Sequence, residues 1–542
     1  MVAALLAVAA LALGAPAPRD AYPRQPIAAE HYRFALVLSD STDRIEGDAI
    51  ARLRLLEAGV TTVALDLAEA TAARQGRGMR VEGVSLGERT LSFTHAADRL
   101  VITLPAPSAA GQVVELRVRY AGIPADGLLI KPNQHGDRTF FSDDWPDKAR
   151  HWLPVIDHVA YKATMEMEVT APAHYQVVSN GLRVEVTDLP GARRRTVWRQ
   201  GVPISPWLYA LGVARFAVQQ VETWRGIAIE SWVFPQQREA GFFDFAVPSR
   251  DALAFFSDQV GPYQYEKLAN VQSNSVAGGM EAASAIFYAS GSVAGNRPVR
   301  WRNVIIHEIA HQWFGNAVTE GDWDDVWLSE GFATYFTLLF IEHAYGAAAF
   351  EEGLRASRAS IFTLDSTTLP DYRVVHDRLA DMAKVTTRLT YEKGAWTLHM
   401  LRREVGDSAF WRGIRAYYAA HLNRTARTAD FRRAMERASG RDLGPFFSQW
   451  LYRGGVPRVT GSWQYDAKAK QVVLELRQVQ ATAPFALPID VQVIMPATRV
   501  LPTRITLTGR TQRFTIPARE RPTSVDLDPG LKVLMQGTLT AR

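Results

Sequence analysis

Hydrophobic and polar residues alternate strictly in three early segments, Tyr32-Arg33-Phe34-Ala35-Leu36, Ala51-Arg52-Leu53-Arg54-Leu55 and Met165-Glu166-Met167-Glu168-Val169. A period of two sends successive side chains to opposite faces of a strand, one towards a core and one towards water. The polar run Ser39-Asp40-Ser41-Thr42-Asp43 joins the first two as a turn. This pattern predicts an all-β domain over residues 27–220. Near Pro248 the rhythm changes. Apolar positions recur at helical spacing over 303–314, 328–345 and 391–405, and Gly315, Gly346 and Gly406 follow as stop signals. A shorter helix is expected from Asp251, ended by Gly261-Pro262. Residues 221–453 should therefore form a mostly helical domain. After the Gly454-Gly455-Val456-Pro457 linker, alternation returns in Val473-Leu474-Glu475-Leu476-Arg477, Val491-Gln492-Val493-Ile494 and Arg504-Ile505-Thr506-Leu507. Short strands punctuated by Pro and Gly over 457–542 predict a small Ig-like β-sandwich. The expected fold class is multidomain α+β.

Composition narrows the chemistry. The chain has 542 residues, with 47% hydrophobic and 22% charged, which is ordinary globular usage. Lys and Arg (61) nearly balance Asp and Glu (56), and no basic run exceeds Arg193-Arg194-Arg195, so no nucleic-acid partner is expected. That run follows the turn signal Pro190-Gly191 and reads as a solvated hairpin face. The absence of cysteine removes disulfides, thiolate metal ligands and a cysteine nucleophile. Any transition metal must be held by His, Asp or Glu.

Residues 2–13 are an unbroken Ala/Leu/Val run closed by Gly14, Ala15 and Pro16. Its length is that of a secretory leader and too short for a bilayer span, so residues 1–17 are expected to direct export to the periplasm or the outside. No other segment reaches the apolar length of a membrane span.

The strongest chemical signal is His307-Glu308-Ile309-Ala310-His311. On a helix, positions i and i+4 share a face, so both imidazoles can meet one ion while Glu308 stands beside it. Catalytic zinc usually takes three protein ligands and keeps a fourth position for water. Glu330, 19 positions after His311 in Trp327-Leu328-Ser329-Glu330-Gly331, is the candidate third ligand at the start of the next helix. Two imidazoles and a carboxylate fit zinc better than calcium or magnesium, which prefer all-oxygen sites.

These blocks, together with Gln312-Trp313-Phe314-Gly315-Asn316, Gly278-Gly279-Met280-Glu281 and Tyr391-Glu392-Lys393-Gly394, resemble the zinc aminopeptidases of the aminopeptidase N and leukotriene hydrolase family, a gluzincin group. The segment Ala149-Arg150-His151-Trp152-Leu153-Pro154-Val155-Ile156-Asp157 is similar to one in that family's N-terminal saddle-shaped β domain, so the resemblance covers most of the chain. It implies one zinc per chain, a thermolysin-like helical catalytic domain, and peptide substrates with a free N-terminus. It further implies Glu308 as the general base for a zinc-bound water, Tyr391 as hydrogen-bond donor to the oxyanion, and Glu281 as the carboxylate that binds the substrate α-amine. The Gly278-Gly279 backbone would be the edge that pairs with an extended peptide, and Met280 is grouped with these residues and Glu281 as substrate-binding.

Three departures matter. Ala282 stands where the family commonly has Asn. Family members often place a Gln or Glu before the Ala-Arg segment to help bind the amine, and here only Asp143 or Asp144 is a candidate. The resemblance is to the shorter three-domain members, so the large C-terminal helical domain of many relatives is not expected here. Two other readings use the same residues: a thermolysin-like zinc endopeptidase, which has no need of Glu281, and a non-catalytic zinc-binding interaction protein, which needs neither Glu308 nor Tyr391. Side-chain preference, peptide length limit and an epoxide hydrolase side activity are not encoded in any local motif.

Overall fold

The alternating segments form long strands whose apolar positions are buried in turn, as in Ala163–Pro172, where every second side chain faces the core. In the computed structural model, which describes residues 24–542, they build an eight-stranded sheet. The expected leader at 1–17 lies outside the described residues. Ile27–Val37 sits inside this sheet, antiparallel to Ile45–Leu55 and parallel to Ala163–Pro172. A four-stranded sheet and a three-stranded sheet pack with it. The Arg193 to Arg195 run lies on the outer hairpin, where Arg194 pairs with Asp188 and Arg195 with Glu185.

The next unit begins with a sheet that the alternation did not announce. Ala217–Trp224, which spans the expected boundary at 220, pairs with Ile227–Val233 in a five-stranded sheet completed by Lys267–Ser273, Ala285–Ala289 and Gly279–Met280. Lys267–Ser273 and Ala285–Ala289 are buried at every position, so they carry no period-two signal. Eight helices accompany this sheet among the described residues: α1 (Arg238–Gln259), α2 (Val299–His311), α3 (Trp327–Tyr345), α4 (Ala347–Thr367), α5 (Arg388–Val405), α6 (Asp407–His421), α7 (Thr428–Ser439) and α8 (Gly444–Trp450).

Helix α1 starts well before Asp251 and runs through Pro248, which is buried in its interior. Proline normally ends a helix because it lacks an N–H, and here packing of Phe245, Leu253 and Phe256 in the core outweighs that loss. Helix α3 stops at Gly346 (φ 87°) and α4 begins at the next residue. Thr387 caps α5, accepting from the Leu389 N–H while the Thr390 hydroxyl accepts from the Thr387 N–H.

The C-terminal strands form a four-stranded and a three-stranded sheet facing each other across Leu474, Leu476, Leu487, Ile489 and Val491. Lys393 of α5 ties this region to the helical unit, donating from its buried ammonium to the carbonyls of Tyr372 and Gly455 (3.1 Å each). Among the described residues no helix is long and apolar enough to cross a membrane.

Candidate active site

Helices α2 and α3 supply the metal-ligating candidates. Nε2 of His307 and Nε2 of His311 lie 3.0 Å apart. Glu330 Oε2, from the first turn of α3, is 3.5 Å from the first and 3.3 Å from the second. Zinc–ligand bonds of about 2.0–2.2 Å in tetrahedral geometry separate donor atoms by roughly 3.3–3.5 Å, so the three already sit near their metal-bound spacing. Nδ1 of His311 is 3.1 Å from the Phe314 carbonyl and 3.0 Å from the Ser329 hydroxyl. A carbonyl can only accept, so Nδ1 carries the proton and Nε2 offers its lone pair to the centre.

The electrostatics ask for a cation. Glu281, Glu308 and Glu330 are all buried. Oε2 of Glu330 and Oε1 of Glu281 have no hydrogen-bond partner among the described residues. Burial raises the Glu281 carboxyl to about 7 despite the charge of His311 3.7 Å away. Burial and the nearby Glu281 push Glu308 well above the usual carboxylate range. At Glu330 burial is outweighed by the charge of His311, and the group is held at about 2. Burial disfavours a charged His311 as well, yet Glu281 and Glu330 pull its pKa up to about 10. Three buried carboxylates drawing positive charge onto one imidazole fit a divalent ion. Glu281, Glu308 and His311 also converge as a possible ligand group, but only the His307, His311 and Glu330 set offers the two imidazoles that zinc favours.

The remaining elements surround this centre. Gly279–Met280 is the outermost strand of the five-stranded sheet, and among the described residues it pairs only with Ala285–Ala289, which leaves its other edge unpaired there. Gly278, Gly279 and Glu281 line the cleft, whereas the Met280 side chain is buried, as alternation along the strand requires. A Cβ at Gly279 would come 2.2 Å from Glu308 Oε1, so a larger residue there would displace the Glu308 side chain. Tyr391, in the first turn of α5, places its ring 6.0 Å from that of His307. Burial, and then the charges of Glu330 and Glu281, raise its phenol well above 10 and keep it protonated.

Sequence reasoning missed the groups that hold these residues. Gln312 and Asn316 donate to the Glu281 carbonyl (3.0 and 2.7 Å), and Gln312 accepts from the Ser284 N–H (3.0 Å). These contacts anchor the strand where Ala282, itself buried, offers no polar side chain. Both residues stand in the His307 to Asn316 block but beyond the last residue of α2, so helical spacing gave no signal for them. Of the two acidic candidates, Asp144 is buried and accepts from Trp152 Nε1 (2.8 Å), a structural role. Asp143 is partly exposed and adds a like charge near Glu281. The cleft, about 750 Å³, extends from the ligand set along Thr334, Thr337, Leu338 and Ile341 of α3.

Two family models match the chain: the peptidase M1 N-terminal domain over residues 28–208 and the peptidase family M1 domain over residues 248–450. The chain belongs to peptidase family M1. M1 peptidases are zinc enzymes, in keeping with the donor set assembled here. Among M1 relatives, glutamyl aminopeptidase of Rattus norvegicus is 27% identical over 357 residues, 64% of this chain and 38% of the rat protein. Aminopeptidase A of Gloydius brevicauda is 27% identical over 349 residues, 58% of this chain and 34% of that protein. The M1 chain thus spans well under half the length of these relatives. The crystal structure of Legionella pneumophila aminopeptidase A in complex with aspartic acid superposes with a TM-score of 0.79 at 18% identity, covering 95% of this chain and 60% of that one. The likeness extends to the three-part architecture of β domain, helical catalytic domain and C-terminal strands.

Proposed function

We propose that this chain is a zinc-dependent aminopeptidase that removes the N-terminal residue from peptides. The observation that carries the reading is the buried Glu281 carboxylate, 3.7 Å from His311 and next to a free strand edge, with Oε1 unpartnered. A peptide's terminal amine and its first carbonyl belong to the same residue, so their receptors must be neighbours. Glu281 and the ligand set are neighbours in this way. An extended peptide paired along Gly278-Gly279 would give its ammonium to Glu281 and present its first carbonyl to the centre.

His307, His311 and Glu330 would hold one zinc ion, which when bound polarises the scissile carbonyl and acidifies a water molecule. Glu308 takes the proton of the attacking water and returns it to the leaving amine, a relay suited to a carboxyl raised by burial. Tyr391 donates to the carbonyl oxygen as negative charge gathers there. The Gly279 backbone and Glu308 are in contact, so the substrate-binding strand also positions the base. An endopeptidase gains nothing from a buried Glu281, and a non-catalytic zinc site gains nothing from Glu308 or Tyr391. The apolar run at residues 2–13 supports export; fractionation that finds the protein only in the cytoplasm would remove that part.

A panel of aminoacyl-naphthylamides tests the reading. Hydrolysis should be abolished by chelation and restored by zinc. No hydrolysis of any member by zinc-loaded protein would overturn it.

A further inference from the structure

A second cavity, about 470 Å³, lies between the C-terminal half of α5, helix α8 and the three-stranded C-terminal sheet. It is separate from the cleft: Arg403, which lines it, is 12 residues beyond Tyr391 on α5, about 18 Å along the helix at 1.5 Å per residue. The floor is apolar and partly aromatic, made by Met400, Phe446, Trp450 and Val533.

The rim carries charge, most of it already matched. Arg441 is bound to the Glu404 carboxylate and carbonyl. Lys532 Nζ is 2.6 Å from Asp490 Oδ2, and Arg504 Nε is 3.8 Å from the other oxygen of the same carboxylate. Arg403 is different. It makes no hydrogen bond and no ion pair among the described residues, and its Nε is buried without a partner. Asp407, whose field it shares, is taken by both arms of Arg402 (2.9 and 3.0 Å). Arg403 is half-buried, and of its three nitrogens only Nε is both buried and unpartnered, so its guanidinium stands at the edge of the apolar floor with donors to spare, and a planar carboxylate matches that fork of donors.

We propose that this cavity is a second ligand site, for a small carboxylate with an apolar body. The carboxylate bonds to Arg403, and the body lies against Phe446, Trp450 and Met400. The volume falls in the range of small-molecule sites. The proposal uses no residue of the catalytic cleft and does not depend on the peptidase reading.

Calorimetric titration of the full chain with 4-phenylbutyrate tests it, against 4-phenylbutyramide, which has the same body without the charge. One equivalent of the acid should bind, at least about tenfold more tightly than the amide, the scale of one charge-assisted hydrogen bond. Binding should persist in His311→Ala, which disables the metal centre, and weaken about tenfold or more in Arg403→Met. If Arg403→Met does not fold, soaking crystals of the unaltered chain with 4-(4-bromophenyl)butyrate should place the bromine between Arg403 and Trp450. Absence of binding, equal affinity for acid and amide, unchanged affinity in Arg403→Met, or bromine only in the catalytic cleft would each overturn the proposal.

Discussion

Gly331 and Gly394 meet backbone to backbone where α3 crosses α5: a Cβ built on either would come within 3.0 Å of the other's Cα. The residue before Gly331 is the ligand candidate Glu330, and the residue nearly one turn before Gly394 is Tyr391. This crossing therefore sets the separation of Tyr391, the proposed oxyanion donor, from the metal-ligating candidates. Gly394→Ala should push the helices apart, lowering stability by about 1–3 kcal/mol, as overpacking does. It should lower kcat more than it raises KM, because a displaced Tyr391 is missed chiefly in the transition state. Thermal melts and steady-state kinetics on the same preparation check both effects.

The imidazole of His311 depends on what lies behind it. Ser329→Ala removes the hydroxyl 3.0 Å from Nδ1 while leaving all three ligand candidates, so zinc affinity should fall by about ten- to a hundredfold. Competition with a chromophoric chelator measures this directly. His311→Ala should abolish zinc binding outright, and a fully active His311→Ala protein would remove the metal assignment.

Glu308→Gln separates metal binding from proton transfer. It should retain about one zinc per chain and lose at least about a hundredfold in kcat. Tyr391→Phe should cost roughly 3 to 4 kcal/mol in barrier height, again in kcat. A change confined to KM would contradict the donor role of Tyr391.

A methyl at Gly279 would collide with the Glu308 carboxylate, which is buried against the strand. Gly279→Ala should thus reproduce much of the kcat loss of Glu308→Gln while zinc content stays at one per chain. Metal analysis beside kinetics distinguishes this from general disruption of the site.

Much of this was legible in the sequence for identifiable reasons. Half-buried strands such as Ala163–Pro172 declare themselves by period two, and His307 and His311 by i, i+4 spacing. Strands buried on both faces, such as Lys267–Ser273, have no alternation to read, and α1 was hidden by a proline that the core tolerates. The residues around the site were harder still. Gln312 and Asn316 bond to a main-chain carbonyl rather than to another side chain, and the Gly331–Gly394 contact joins positions far apart in the chain.

Recognition of the free amine by Glu281 is the point on which the proposed aminopeptidase action rests. The direct measurement is kcat/KM for Leu-naphthylamide and its N-acetylated form, on the unaltered chain and on Glu281→Ala. A charge-assisted contact is worth about 1.5–3 kcal/mol, so the variant should lose roughly ten- to a hundredfold or more on the free amine. The unaltered enzyme should leave the acetylated substrate nearly untouched, and the variant should narrow that difference. Comparable cleavage of free and acetylated substrates by the unaltered enzyme would contradict the claim, because the amine would then not be the handle by which substrate is held.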